Sequence, residues 1–332
     1  MAKEVWRLHS FAIGMEATAG TAGAIDAWVP FETASLKPMT NLEKDPSGIN
    51  NIAGLMDAHV TKTWGEFEAK GIVRPTSIGW FILSALGTSA APALQETGVY
   101  KHAFTVKNDN AHPTFTIIHD NATAEEQCLY TMLDELTISG DAGQYARFDV
   151  KATGRLPASA TGNTPTFTAT GETPFLTSKA SIKFATNIAG ITGATRVPCQ
   201  SFKVTIEKNL EQIFSTSADG TEALNFSTQH NQDLWVKWDF EIVYDLNTYR
   251  DLANAGTLQA LEIQLEGRTL IGATKYENIT IQLASVVLED WGRSDDNNGI
   301  VTQSFGFSAL YKLAESKMIT IDVTNAKSTQ YS

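Results

Sequence analysis

Leu234-Trp-Val-Lys-Trp-Asp-Phe-Glu-Ile-Val-Tyr244 alternates residue by residue. Leu234, Val236, Trp238, Phe240, Ile242 and Tyr244 fall on one side; Lys237, Asp239 and Glu241 fall on the other. Successive Cβ atoms of a strand point to opposite faces, so this period of two predicts a strand with one face on a core and one in water. The same pattern runs outward on both sides. Downstream it occurs at Leu261, Ile263 and Leu265, with Glu262, Gln264 and Glu266 opposite, and at Ile319, Ile321 and Val323. Between these, Ile279, Ile281 and Leu283 alternate until the phase moves to Val286 and Leu288, which predicts a bulge near Ser285. A polar segment, Arg293 to Gly299, then precedes Phe305, Phe307, Ala309 and Tyr311, which reads as a hairpin turning at Asn298-Gly299. Upstream, Phe202/Val204/Ile206, Phe104/Val106, Phe115/Ile117, Leu136/Ile138 and Ala146/Phe148/Val150/Ala152 are further strands, with Gly140 to Gly143 turning the last two into a hairpin.

Helical spacing is scarce. Ile78, Phe81, Ile82, Ala85 and Leu86 share one helical face, with Pro75 suited to the first turn and Gly87 to the stop, so 75–86 reads as a helix. A second runs from Asn247 as a cap to Gly256. The expected fold is mainly β, a packed sandwich or barrel with one or two short flanking helices and extended arms. Residues 1–70 read as an N-terminal arm, 71–325 as a β-rich body and 326–332 as a C-terminal tail. Within these, 14–60 lacks a sustained period, and 154–178 is a long Thr-, Ala-, Gly- and Pro-containing loop. Segments of that length are usually functional, disordered or ordered by a partner, and both read as arms or inter-subunit loops, with a plain flexible linker as the alternative for 154–178.

The 332 residues carry 37 Asp and Glu against 25 Lys and Arg, a formal net charge of −12. A surface that negative repels phosphate, which argues against sequence-reading of nucleic acid. Two cysteines, Cys128 and Cys199, are too few for a disulfide framework, and reduced thiols are expected. Glu4, Arg7 and His9 interrupt the start where a secretory signal would need an apolar run, so folding in a reducing cytoplasm is expected. The longest uncharged stretch, Pro75 to Gln95, is broken by Pro92, two glycines and several hydroxyl residues, and no membrane segment is expected.

Chemistry finds no anchor. The six histidines are scattered, and the seven-residue spacing of His112 and His119 puts them on opposite faces of any strand. Nucleophile-elbow, phosphate-loop and dinucleotide signatures are all missing. Asp295-Asp-Asn-Asn-Gly299 resembles a calcium loop only in its middle, because Ser294 and Phe305 occupy the positions where the first ligand and a bidentate Glu are needed. No catalytic residue, metal or cofactor is expected.

The order of segments carries a resemblance. Trp80 to Gly87, Gly98 to Phe104, Leu136 to Gly140 with Tyr145 to Gly154, Phe202 to Asn209, the long strand into Asp245 to Tyr249, and Ile279 to Leu283 together resemble the major tail tube proteins of long, non-contractile-tailed bacteriophages. That resemblance spans residues 70 to 325. It implies a structural virion protein, assembled in the host cytoplasm, whose subunits form rings, commonly hexameric. The rings stack into a hollow tube with a β-barrel inner wall through which genomic DNA passes. The implied partners are other copies of the chain together with tape-measure, tail-terminator and distal tail proteins. On this basis Tyr145, Arg147, Asp149 and Lys151, with Thr137 and Ser139 on the paired strand, are a candidate lumen or inter-subunit face. Glu262, Gln264 and Glu266 form a second candidate. Arg147 and Lys151 weigh against a lumen position because they attract phosphate. The alternative is a carbohydrate- or surface-binding β-sandwich that uses Trp28, Trp64, Trp235 and Trp291 for stacking.

Overall fold

A computed structural model of the protein describes residues 6–47, 50, 52, 54–121, 123–167, 172–216, 224–244, 247–294 and 300–332. In chain order the elements are β1 (Ser10–Met15), β2 (Ala27–Val29), β3 (Thr33–Asp45), β4 (Asp57–Ile72), α1 (Ile78–Leu86), β5 (Gly87–Ser89), β6 (Ala93–Glu96), β7 (Val99–Val106), β8 (Phe115–Asp120), β9 (Glu125–Asp141), β10 (Arg147–Gly154) and β11 (Ala158–Ala160). They continue with β12 (Ala180–Ala185), α2 (Ile188–Ile191), β13 (Arg196–Val197), β14 (Ser201–Ile213), β15 (Thr228–Val243), α3 (Thr248–Ala255), β16 (Gln259–Leu270), β17 (Tyr276–Arg293), β18 (Thr302–Ala309) and β19 (Ile319–Asn325). Every ladder between these strands is antiparallel. The protein is mainly β, a sandwich, as its alternation predicts.

One pairing pattern occurs twice. In the first half β1 pairs with β2 and β8, β8 with β9, β9 with β10 and β11, β10 with β4, and β4 with β3. In the second half β12, β13, β16, β17, β18, β19, β15 and β14 take the same places in the same order. Registers agree as well as connections. Val150 faces Ala69, and Phe305 faces Phe240; Phe11 faces Val29, and Ile182 faces Val197. The Val73 N–H donates to the Ala146 carbonyl just as the Tyr244 N–H donates to Val301. The helices correspond too, since α1 follows β4 and α3 follows β15. Strands β5–β7 are extra to the first copy, and β7 packs beside β19 of the second.

In each repeat one long strand belongs to two sheets. β9 slips register between Cys128 and Thr131, and β17 slips between Leu283 and Val286, the bulge anticipated near Ser285. Beyond the slip each strand turns toward β10 or β18. The C-terminal half of β9 also pairs with β14, which joins the two repeats. The result is one eight-stranded sheet in the order β3, β4, β10, β9, β14, β15, β18, β17. A smaller sheet backs each repeat, and the apolar faces meet in a shared core containing Phe11, Phe67, Phe148, Leu136, Val204, Trp238, Ile263 and Ile281. Phe184 of β12 bridges the layers, 5.8 Å from Phe240 and 5.4 Å from Phe307 between ring centroids.

Both expected helices form. Asn247 stands at the start of α3 but its side chain makes no capping hydrogen bond, and Gly87 and Gly256 follow α1 and α3 with φ of 91° and 58°, left-handed values that glycine takes without a Cβ clash. The short α2, capped by the Asn187 side chain, falls below the length that periodicity reveals. Residues 14–60 are more ordered than their pattern foretells, because β2, β3 and the start of β4 lie there, and β3 and β4 run as one long hairpin. The expected division at residue 70 falls inside β4. Among the described residues of 155–178, β11 is the one strand, and a single 3-10 turn begins at Thr177.

Candidate functional site

The polar face of the eight-stranded sheet gathers the first set of candidates. Ser139 stands opposite Arg147, Thr137 opposite Asp149 and Glu135 opposite Lys151 across β9 and β10. On the other side of β9 the same residues face Lys203, Thr205 and Glu207 of β14. The rows extend to Lys70 and Glu68 on β4, Lys237 and Asp239 on β15, and Ser308 on β18. Parity produces this outcome: in each strand the intervening residues, such as Phe148, Ile138, Val204 and Trp238, are buried.

Four cations on this face each have a carboxylate partner on a neighbouring segment. Lys151 Nζ lies 2.7 Å from Glu135, Lys237 Nζ lies 3.0 Å from Glu207, Lys70 is bonded to Asp149, and Arg147 to Glu32. Hydrogen bonding to Asp149 and to Glu135 raises Lys70 and Lys151 above the ordinary lysine value. Such exposed pairs contribute roughly 0–1 kcal/mol each to stability. Their larger effect is on the surface itself: Arg147 and Lys151, which as sequence positions argue against a phosphate-repelling wall, each have a carboxylate partner.

Tyr145 lies just before β10, bridged to Leu176 and partly exposed. The second set is elsewhere. Glu262, Gln264 and Glu266 lie on β16, opposite Gln282, Thr280 and Asn278 of β17. Gln282 donates to Glu262 at 2.7 Å, and Lys179 is 3.4 Å from Glu266. The alternate residues Leu261, Ile263 and Leu265 enter the core shared with Phe240, Phe305 and Phe307. The two candidate faces are therefore on opposite outer sides of the sandwich and cannot both line one bore.

Sequence patterning misses the seam between the repeats. Thr137 and Thr205 meet there, and Lys208 of β14 sends its ammonium into the first repeat, where it donates to the carbonyl of Ser84 in the last turn of α1. Burial lowers Lys208 to about 7, opposed by the nearby Asp134 carboxylate. Glu277 on β17 is raised to about 7 by burial and by the charge of Glu172. A lysine inside an otherwise apolar strand phase, Val204, Ile206 then Lys208, is the sequence signal by which the first of these could have been found.

The tryptophans do not form a stacking cleft. Trp28 is buried, Trp64 and Trp291 are half-buried, and Trp235 is 55% exposed with its Nε1 donating to Asp233. Among the described residues, no three His, Cys, Asp or Glu side chains gather as metal ligands, and no helix is long and apolar enough to cross a membrane. The loop 295–299, with its Asn298-Gly299 turn, lies outside the described residues.

A family model described as phage tail tube protein matches residues 6–309, nearly the whole chain. No curated protein matches it. This match is decisive: the chain belongs to the phage tail tube protein family, whose members are structural components of the virion tail.

Proposed function

We propose that copies of the protein close side by side into rings of six tail-tube units and that the rings stack into the conduit for DNA ejection, with no catalytic step. The observation that carries this reading is the eight-stranded sheet with one polar face and, among the described residues, a strand at each end that pairs on one side only, β3 and the last part of β17. Open antiparallel edges invite further strands, and a closed ring removes them. Ring contacts between unlike edges are heterologous and closing; contacts along the axis are heterologous and open, which yields a filament.

The face bearing Thr137, Ser139, Arg147, Asp149 and Lys151 is assigned to the bore, and the face bearing Glu262, Gln264 and Glu266 to the outside. A wall of hydroxyls and neutralised ion pairs offers a passing phosphate backbone little to hold. The β3–β4 hairpin, exposed at Thr40–Lys44 on one strand and at Asp57 and Ala58 on the other, is assigned to ring stacking. Tape-measure, terminator and distal tail proteins would meet the bore and the two ends. Electron microscopy of purified protein tests the reading: rings and tubes are expected, and a monomer that persists at high concentration would sink it.

A further inference from the structure

The repeat tells more than the family does, because the chain already contains one worked example of how two tail-tube units join. That example is the ladder between β9 of the first repeat and β14 of the second, where Glu135, Leu136, Thr137, Ile138 and Ser139 face Glu207, Ile206, Thr205, Val204 and Lys203. Its two partners have unpaired counterparts. The strand equivalent to β14 is β3, which pairs only with β4 among the described residues; the segment equivalent to Glu135–Ser139 of β9 is Asp290–Ser294 at the end of β17, whose only strand partner among the described residues is β18.

We infer that Asp290–Ser294 of one copy pairs antiparallel with β3 of the next copy in the register that β9 and β14 use within the chain, so that three chains supply the six units of a ring. The inference rests on the ring reading above for its number of units and on the structure for the contact.

The register follows from the ladders shared by the repeats. Ala69 faces Ala34 where Phe240 faces Phe202, and Asp149 faces Thr137 where Ser304 faces Gly292. Carrying the internal seam across places Lys37 opposite Gly292, Ser35 opposite Ser294, Leu36 opposite Arg293 and Pro38 opposite Trp291. The Thr63 N–H donates to Leu224, away from β3, so the alternation of the ladder turns Ala34, Leu36 and Pro38 toward the free edge. Pro38 removes one donor from that edge. This weakens the new ladder by one bond and also makes the strand a poor template for unrelated strands.

Burial at the internal seam supports the same occupant. Thr205 on β14 is buried, whereas Lys37, its counterpart on β3, is exposed. The size is also adequate. Three eight-stranded sheets at about 4.8 Å per strand close a wall about 37 Å across at the backbone, wider with strand tilt, which leaves room beside its side chains for a duplex roughly 20 Å wide.

The test is a pair of conservative substitutions, Ser35→Cys with Ser294→Cys, in the full chain, oxidised with copper phenanthroline. The internal pair at this position, Lys203 and Ser139, is of the closer, non-hydrogen-bonded type, which suits disulfide geometry. Background is low, because burial pushes both native thiols, Cys128 and Cys199, up to about 11. Expected are disulfide-linked species of two and three chains and none larger, with no linkage in either single variant or in Ser35→Cys with Ser304→Cys. Native mass spectrometry of the unsubstituted ring should give three chains of 36.0 kDa. Rings that form without the cross-link, or that close at another number of chains, overturn this inference and leave the ring reading standing. An unsubstituted protein that forms no ring overturns both.

Discussion

Thr137 and Thr205 touch hydroxyl to hydroxyl at 3.2 Å across the seam that joins the two repeats. Both are buried on a face whose neighbours are charged, so the contact marks where the polar surface tightens between β9 and β14. Thr205→Val should cost no more than about 1.5 kcal/mol, since Thr137 keeps a second acceptor in Glu135. Thr205→Pro should cost about 3 kcal/mol or more, because it removes a ladder donor from a strand flanked on both sides. Urea denaturation of the two variants separates these expectations; equal midpoints would contradict the seam's role in holding the halves together.

Charge reversal tests the bore assignment. Replacing Glu135 and Asp149 by Lys strips Lys151 and Lys70 of their partners and adds two cations to the same face. Stability should change by only about 1 kcal/mol per exposed pair. Assembled tubes of the variant should retain duplex DNA in a salt-dependent way, whereas wild-type tubes should release it. Co-sedimentation at two salt concentrations reads this out, and indifference of the variant to DNA would place the face outside the lumen.

Shortening the first hairpin tests stacking. Asn41 and Lys62 are paired in the ladder, so residues 42–61 can be replaced by Asn-Gly, a two-residue turn suited to a hairpin. The core is untouched, so the melting temperature should be nearly unchanged, while rings should form without lengthening into tubes. Full-length tubes from the shortened chain would reassign the hairpin.

Two buried ionisable groups set opposite pH slopes. Lys208 falls from 10.5 to about 7 on folding, so between these values the unfolded chain holds the extra proton and stability should rise with pH. Glu277 rises from 4.5 to about 7, so between pH 4.5 and 7 the folded chain holds the extra proton and stability should fall as pH rises. Together they predict a shallow minimum near pH 7. Lys208→Met should flatten the alkaline limb and Glu277→Gln the acidic limb in melting curves taken across this range.

Most strands were legible because one face is wet and the other dry, as in β15 and β16. The residues of β1, Ser10 to Ile13, are all buried and so show no alternation, while β3 beyond Leu36 is exposed on both faces and shows none either. The candidate residues on β9 and β10 were found from the same alternation. Their partners on β4 and β14 were not, since strand neighbours distant in sequence leave no local mark. The duplication stayed hidden for a related reason. Equivalent positions keep their parity and register but rarely their identity, as with Phe67 and Trp238 or Ala69 and Phe240, while Trp64 with Trp235 and His59 with His230 are isolated survivals.

Linking both repeats in one polypeptide changes how a tube wall can grow. The β9–β14 seam forms within a single molecule, at an effective local concentration set by the intervening segment and not by the supply of subunits. Dilution cannot dissolve that junction short of unfolding the chain. In the proposed ring, every second boundary around the circumference would be fixed at synthesis, and only the alternate boundaries would wait for a collision.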